Sequence, residues 1–283
     1  TVSGIAANDK VYDATTAATV STTHASFTGK VAGDDINVTA TGVFTDKNVT
    51  WLNGTINGTT VAKTVNLTSA YTGADLANYT ITYVDGAMTV NPAPLVVSAT
   101  PGTMVYGTNA PSLAYTYTGL VNGDTSAAFT GNLTSTATNT SNVGTGYVIS
   151  RGSLATSGNY SIASYIPANI SITPAQITIN AAKVYDGMAT AGAADLTIAG
   201  IGGQTLTVIS GNAVLTNPNV GSAALQSLNN LVLGNGTGLA ANYTVVSPIF
   251  GVVTITPASL TVSAQAKSKV YGAAVPSLTY TYS

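Results

Sequence analysis

NYTITYVDGAMTVNPAPLVVSA (Asn78–Ala99) holds the pattern that decides the fold. An Asn-Tyr pair opens it, an Asn-Pro-Ala step divides it, and an alternating run follows. Leu95, Val97 and Ala99 alternate with Val96, Ser98 and Thr100. A period of two marks a strand with one buried face. Proline fixes φ and holds the residue before it extended. The stretch therefore predicts one strand running into the next with almost no linker.

The same stretch returns as NYSIASYIPANISITPA (159–175) and NYTVVSPIFGVVTITPA (242–258). The tyrosines are Tyr79, Tyr160 and Tyr243. The closing prolines are Pro92, Pro174 and Pro257, 82 and 83 residues apart. After each Pro-Ala comes an alternating run, PLVVSA, QITINA or SLTVSA, and then a tyrosine motif. The motif reads KVYD at Tyr12 and Tyr185, with Asp13 and Asp186. It reads VYG at Tyr106 and Tyr271, with Gly107 and Gly272. Internal repeats of this kind set the architecture. The modules are 1–92, 93–174 and 175–257, with a partial fourth at 258–283, in the order A-B-A-B.

Composition agrees. The chain is 45% hydrophobic but only 6% charged, against about a quarter charged in ordinary domains. All ten acidic residues are Asp. Good helix formers are scarce, whereas Thr and Val favour strands and Gly, Asn and Asp favour turns. Turn signals stand at Asn53-Gly54, Asn57-Gly58, Asp85-Gly86, Asn122-Gly123 and Gly202-Gly203. One helical turn is expected at 122–131, capped by Asp124. The predicted fold is all-β and mainly antiparallel: an elongated tandem array of small Ig-like β-sandwich modules. The alternative is β-grasp-like modules with one short helix each. With no Gly/Ser linker the joints are expected to be stiff. Strands of ~3.3 Å per residue, laid end to end, give a rod well over ~100 Å long.

KVYDATTAAT and KVYDGMAT resemble the opening of the YDG-type module. LVVSATPGTMVYGTNAPSLAYTYTGLVNGD and LTVSAQAKSKVYGAAVPSLTYTY resemble its companion, the YGX-type (MBG) module. The resemblance covers essentially the whole chain. It departs at Ala14, where the YDG pattern has Gly. Such modules alternate in very large secreted bacterial proteins, often filamentous-haemagglutinin-like adhesins. The resemblance implies a bacterial cell-surface or secreted location, a stalk or spacer role projecting a distal binding domain, and no catalytic residues.

Tyr12, Tyr106, Tyr185 and Tyr271 recur in every module, while the Asp after them is present in only half. A buried tyrosine anchoring a turn, its hydroxyl satisfied locally, explains this better than a catalytic acid. Asp or Gly in the next position suits a tight turn. Asp34-Asp35 aligns with the VNGD of the second module and reads as a turn. His24 is the sole histidine, and no nucleophile elbow, GxGxxG or P-loop is present. The chain is therefore expected not to be an enzyme and to need no cofactor. Calcium would need six to eight oxygens, and the Asp residues are too thinly spread to favour it. Trp51, in a segment of two Asn-Gly turns, is the candidate for a ligand-facing loop.

Scattered basic residues disfavour nucleic acid, and no apolar run suits membrane insertion. Residue 1 is Thr with no leader before it, so a segment cut or processed from a longer chain is expected. Expected partners are neighbouring modules, further copies of the chain, and surface glycans reached through other domains. Two further roles stand beside the stalk: a carbohydrate-binding module, and a filament subunit assembling by strand addition. Asn-x-Ser/Thr sequons, among them Asn37, Asn48, Asn66, Asn132 and Asn235, are candidate glycosylation sites.

Overall fold

The computed structural model describes residues 1–54, 58–82, 86–245 and 251–283. The turn signals at Asn57 and Asp85 lie outside the described residues. The chain is all-β, built from small sheets. Among the described residues the only helical segments are single 3-10 turns: Leu52–Gly54, Leu76–Asn78, Ala193–Asp195, Ile201–Gly203 and Ala240–Asn242. The short helix expected at 122–131 is absent. Asn122 (φ 43°) and Gly123 (φ 81°) are left-handed, and the Asp124 N–H donates to Val121 O at 3.0 Å. That is a tight primed turn, and its backbone cannot enter a right-handed helix. The strand Ala128–Thr130 follows.

Two compact units divide the chain. The first comprises Thr1–Gly102, Pro111–Ala137 and Thr145–Ser171; the second comprises Thr103–Ala110, Thr138–Gly144 and Ile172–Ser283.

In the first unit, Asn37–Phe44 and Lys63–Thr72 form an antiparallel hairpin, Asn37 facing Thr72 and Phe44 facing Val65. Ala17–Ala18 and Gly86–Met88 flank it in a four-stranded sheet. Val65 and Leu67 point inward while Thr64, Asn66 and Thr68 stay exposed, as the alternation requires. Lys10–Val11 lies parallel to Val90–Asn91, so the module's opening and closing strands are neighbours. Past Pro92, the strand Ala93–Ala99 pairs antiparallel with Tyr115–Thr118 and parallel with Tyr160–Ile166. Its Ala93, Leu95 and Val97 are buried. One core runs from Val2, Tyr12, Phe44 and Met88 through Val90 to Ala93, Leu95 and Tyr160. The Pro-Ala joint therefore lies over a continuous core and is no gap between cores.

In the second unit, Thr178–Val184 pairs parallel with Val252–Thr256 and antiparallel with Leu196–Ala199. Thr205–Leu215 joins Leu196–Ala199 on one edge and Gly221–Asn235 on the other, and Gly221–Asn235 returns to Val252–Thr256. The pairings close on themselves. Register breaks beside Ser210 and Asn212 let the long strands bend from one face to the other. Ile179, Ala181, Ile198, Leu206, Val253 and Ile255 are all buried.

Candidate functional site at the module joints

Each module opens with a tyrosine that closes onto the end of the same module. The Tyr12 N–H donates to Asn91 O at 2.7 Å, the Tyr106 N–H to Thr173 O at 2.9 Å, and the Tyr185 N–H to Thr256 O at 2.8 Å. The acceptors stand immediately before Pro92, Pro174 and Pro257. Proline has no N–H to continue a ladder, so the carbonyl before it is the last acceptor of the module. Tyrosine and proline are thus two halves of one closure.

After the tyrosine the chain turns. Asp13 Oδ1 accepts the Thr15 N–H, and Asp186 Oδ1 accepts the Met188 N–H, both at 2.9 Å. The next residue is left-handed, Ala14 at φ 61° and Gly187 at φ 79°. In the VYG version the glycine itself takes that conformation, Gly107 at 85° and Gly272 at 82°.

The Asp also meets the lysine of its own motif. Lys183 is buried on the inner face. Its Nζ donates to Asp186 Oδ1 at 2.6 Å, Thr190 O at 2.6 Å and Met188 O at 3.2 Å. Lys10 repeats this with Asp13 Oδ1 at 2.7 Å, Ala17 O and Thr15 O. The Lys183 ammonium, with the Met188 N–H, holds the Asp186 carboxyl below the usual carboxylate range. Burial pushes the Asp13 carboxyl up, but the bonds from Lys10 and Thr15 outweigh it and leave it lowered. In the second module Met104 replaces the lysine and Gly107 the aspartate. The buried charge and its counter-ion disappear together.

The tyrosine hydroxyls are satisfied across the joint, by the next module. Tyr12 is 2% exposed and Tyr106 5%. Tyr12 OH donates to Asp124 Oδ2 at 3.0 Å, and Tyr160 OH donates to the same oxygen at 2.7 Å. The two rings meet edge to face, centroids 5.6 Å apart. At the next joint Gln204 takes the place of Asp124. Its Nε2 donates to Tyr106 OH at 2.9 Å and its Oε1 accepts from Tyr243 OH at 2.6 Å. Tyr106 and Tyr243 also meet edge to face, at 5.4 Å. A carboxylate accepts from both hydroxyls, whereas a carboxamide donates to one and accepts from the other. The same clasp is made with two chemistries.

The polar member sits on a tight turn in every module. The Val121, Ile201 and Val31 N–H groups donate to the Tyr160, Tyr243 and Tyr79 hydroxyl oxygens at 3.3, 3.0 and 2.9 Å. Asp34 Oδ2 accepts from Tyr79 OH at 2.6 Å, so Asp34 holds the position of Asp124. The hydroxyls of Tyr160 and then Tyr12 hold the Asp124 carboxyl below its ordinary range. Burial, then the bond to Asp124, pushes the Tyr160 phenol up.

A second contact accompanies each clasp. Asn159 Oδ1 accepts the Val49 N–H at 2.9 Å, and its Nδ2 donates to Asn48 Oδ1 at 2.9 Å. Asn242 does the same to Val143 N–H at 2.8 Å and Asn142 Oδ1 at 2.9 Å. The Asn of each internal Asn-Tyr pair thus reads an Asn-Val step on the preceding module. A glycan on Nδ2 of Asn159 or Asn242 would remove this bond.

The expectation of locally satisfied, buried tyrosines holds in part. The hydroxyl partners of Tyr12 and Tyr106 come from the following module, and Tyr185 and Tyr271 are exposed, at 43% and 103%. Trp51 is half-buried against the core, its indole N–H donating to Gly158 O at 3.1 Å. Sequence reading missed Asp124, Gln204, Lys10 and Lys183, and the Asn-Val steps. The signal for the last was present, as Asn-Val recurs at 48–49, 142–143 and 219–220.

A model of the YDG domain matches residues 1–86 and again 166–249, and a model of the MBG domain (YGX type) matches residues 95–171. No curated protein and no solved structure matches the chain.

Proposed function

Since the chain belongs to the YDG domain family and carries an MBG domain of the YGX type between its two YDG copies, we propose that it is a structural spacer: a stalk segment of a bacterial cell-surface or secreted adhesin that holds a distal binding domain away from its base. The observation that carries this is the repetition of one joint between unlike modules. A YDG module grips a YGX module through Tyr12, Asp124 and Tyr160, and the YGX module grips the next YDG module through Tyr106, Gln204 and Tyr243. A core shared across the first joint and a clasp at each make every joint a fixed one. In this role the chain performs no catalysis. The Asp13 and Asp186 carboxylates are taken up by a lysine and a turn N–H, and nothing is left for a proton to be moved to.

Trp51 supports the stalk over a sugar-binding loop. Its one donor is spent on Gly158 O, on the side of the ring that faces the following module. Small-angle scattering of the chain tests the proposal. A rigid-rod profile supports a stalk, and a compact globular profile overturns it. Glycan binding that is lost in Trp51→Ala would instead establish the carbohydrate-binding role.

A further inference from the structure

The third module carries the surface with which the first two hold their successors. Tyr185 closes onto Thr256 O as Tyr12 closes onto Asn91 O. The Asn219 N–H donates to Asn217 Oδ1 at 2.9 Å, as the Asn48 N–H donates to Asp46 Oδ1 at 2.8 Å. The same Asx turn therefore presents the same Asn-Val step. The difference is exposure. Tyr185 is 43% exposed against 2% for Tyr12, and Val220 is 52% exposed against 8% for Val49.

The first module carries the complementary end. Asn78 is exposed at the close of the turn Leu76–Asn78, as Asn242 closes Ala240–Asn242. Tyr79 already has its Val31 N–H and its Asp34 carboxylate. Tyr160 and Tyr243 keep the same two partners where they are buried.

We infer that the Tyr185–Asn219–Val220 face is a docking socket for an Asn-Tyr end, and that a second copy of this chain fills it with Asn78, Tyr79 and Asp34. The groups match one for one. Asp34 Oδ2 accepts from Tyr185 OH as Asp124 accepts from Tyr12. Asn78 Oδ1 accepts the Val220 N–H, and its Nδ2 donates to Asn219 Oδ1. The contact is heterologous, so it adds copies in line and does not close on itself. It uses side-chain clasps, unlike the strand addition that sequence alone suggested. It goes beyond the stalk reading and stands or falls separately from it. A few hydrogen bonds and one ring pair give weak association, with a dissociation constant on the order of 0.1–1 mM. Tethering raises local concentration to the millimolar range, so a module following in a longer chain would use the same socket.

Sedimentation velocity of the full chain from about 10 μM to about 1 mM tests this. The weight-average sedimentation coefficient is expected to rise with concentration. Val220→Asp places a carboxylate in the socket, and Asn78→Ala removes the carboxamide that enters it. Both residues are exposed, so the fold survives, which circular dichroism checks. Each variant alone should stay monomeric. Mixed in equal amounts they should form a dimer and nothing larger, because each retains one intact end. A wild-type coefficient that stays constant to about 1 mM overturns the inference. So does association that persists unchanged in both variants, which would assign it to another edge, such as the hairpin of Val262–Ala264 with Tyr280–Tyr282.

Discussion

The hydroxyls of Tyr12 and Tyr160, from successive modules, end on one oxygen, Oδ2 of Asp124. At the next joint Tyr106 and Tyr243 share Gln204. One joint thus contains a titratable group where its counterpart contains none.

That difference predicts an acid-labile joint. The bonds from Tyr160 and Tyr12 lower the Asp124 pKa in the folded state. A lowered folded value contributes stability that is present above the unfolded value, about 3.9, and is lost as pH falls through the lower, folded one. The Tyr12 and Tyr160 ring resonances should broaden between about pH 4 and pH 2, while those of Tyr106 and Tyr243 should not follow the same titration. In Asp124→Asn the Tyr12 and Tyr160 transition should vanish. An identical acid profile in wild type and variant would contradict the assignment.

The clasp hydroxyls should be worth a typical hydrogen bond. Tyr12→Phe and Tyr106→Phe should each cost about 1 kcal/mol, since each leaves a shared acceptor or donor short of one partner. Truncation to Ala should cost about 3–5 kcal/mol by removing a buried ring. Tyr185→Phe should change stability by less than about 0.5 kcal/mol, because that ring is exposed. Urea denaturation distinguishes the three cases. Equal losses at Tyr12 and Tyr185 would place the stabilisation within the module and not across the joint.

Ala14 sits at φ 61°, where the third module uses Gly187 at φ 79°. A Cβ in the left-handed region costs roughly 1–2 kcal/mol. Ala14→Gly should therefore raise the stability of the first module by about 1 kcal/mol, and Gly187→Ala should lower that of the third by a similar amount. A loss of stability in Ala14→Gly would mean that chain entropy outweighs relief of strain there.

The Lys183–Asp186 pair yields an ordering. Asp186→Ala leaves a buried ammonium with carbonyl partners alone, while Lys183→Met removes the charge and keeps most of the volume. Stripping one partner from a buried pair costs more than replacing the pair. The double variant Lys183→Met/Asp186→Ala should be more stable than Asp186→Ala, as measured by thermal unfolding. The second module already lives with that replacement, at Met104 and Gly107.

Much of this was readable in the chain. Alternation at Leu95 and Val97 gave the strand, and the spacing of Pro92, Pro174 and Pro257 gave the modules. The likeness of VAGD to VNGD marked one recurring turn. What was not readable is non-local. Tyr12 and Asp124 are 112 residues apart, and no local pattern says that a tyrosine is satisfied by a neighbour. The helical turn expected at Asp124 failed because Asn122-Gly123 favours a primed turn, and because the carboxylate serves two phenols and not a helix N-terminus. Lys183 was hidden by its charge: alternation places it on the inner face with Ile179 and Ala181, yet a charged residue reads as exposed. Closure of the third module's strands depends on bends at Ser210 and Asn212, which period-two reading treats as straight strand.

The claim that the clasps fix the joints is tested most directly by 15N relaxation of backbone amides on the two sides of the Pro92 joint. If Asp124 locks Tyr12 to Tyr160, amides in Lys63–Thr72 and in Tyr160–Ile166 report one common rotational diffusion tensor, and Asp124→Ala separates them into two. Independent tumbling on the two sides in the unaltered chain would contradict the account.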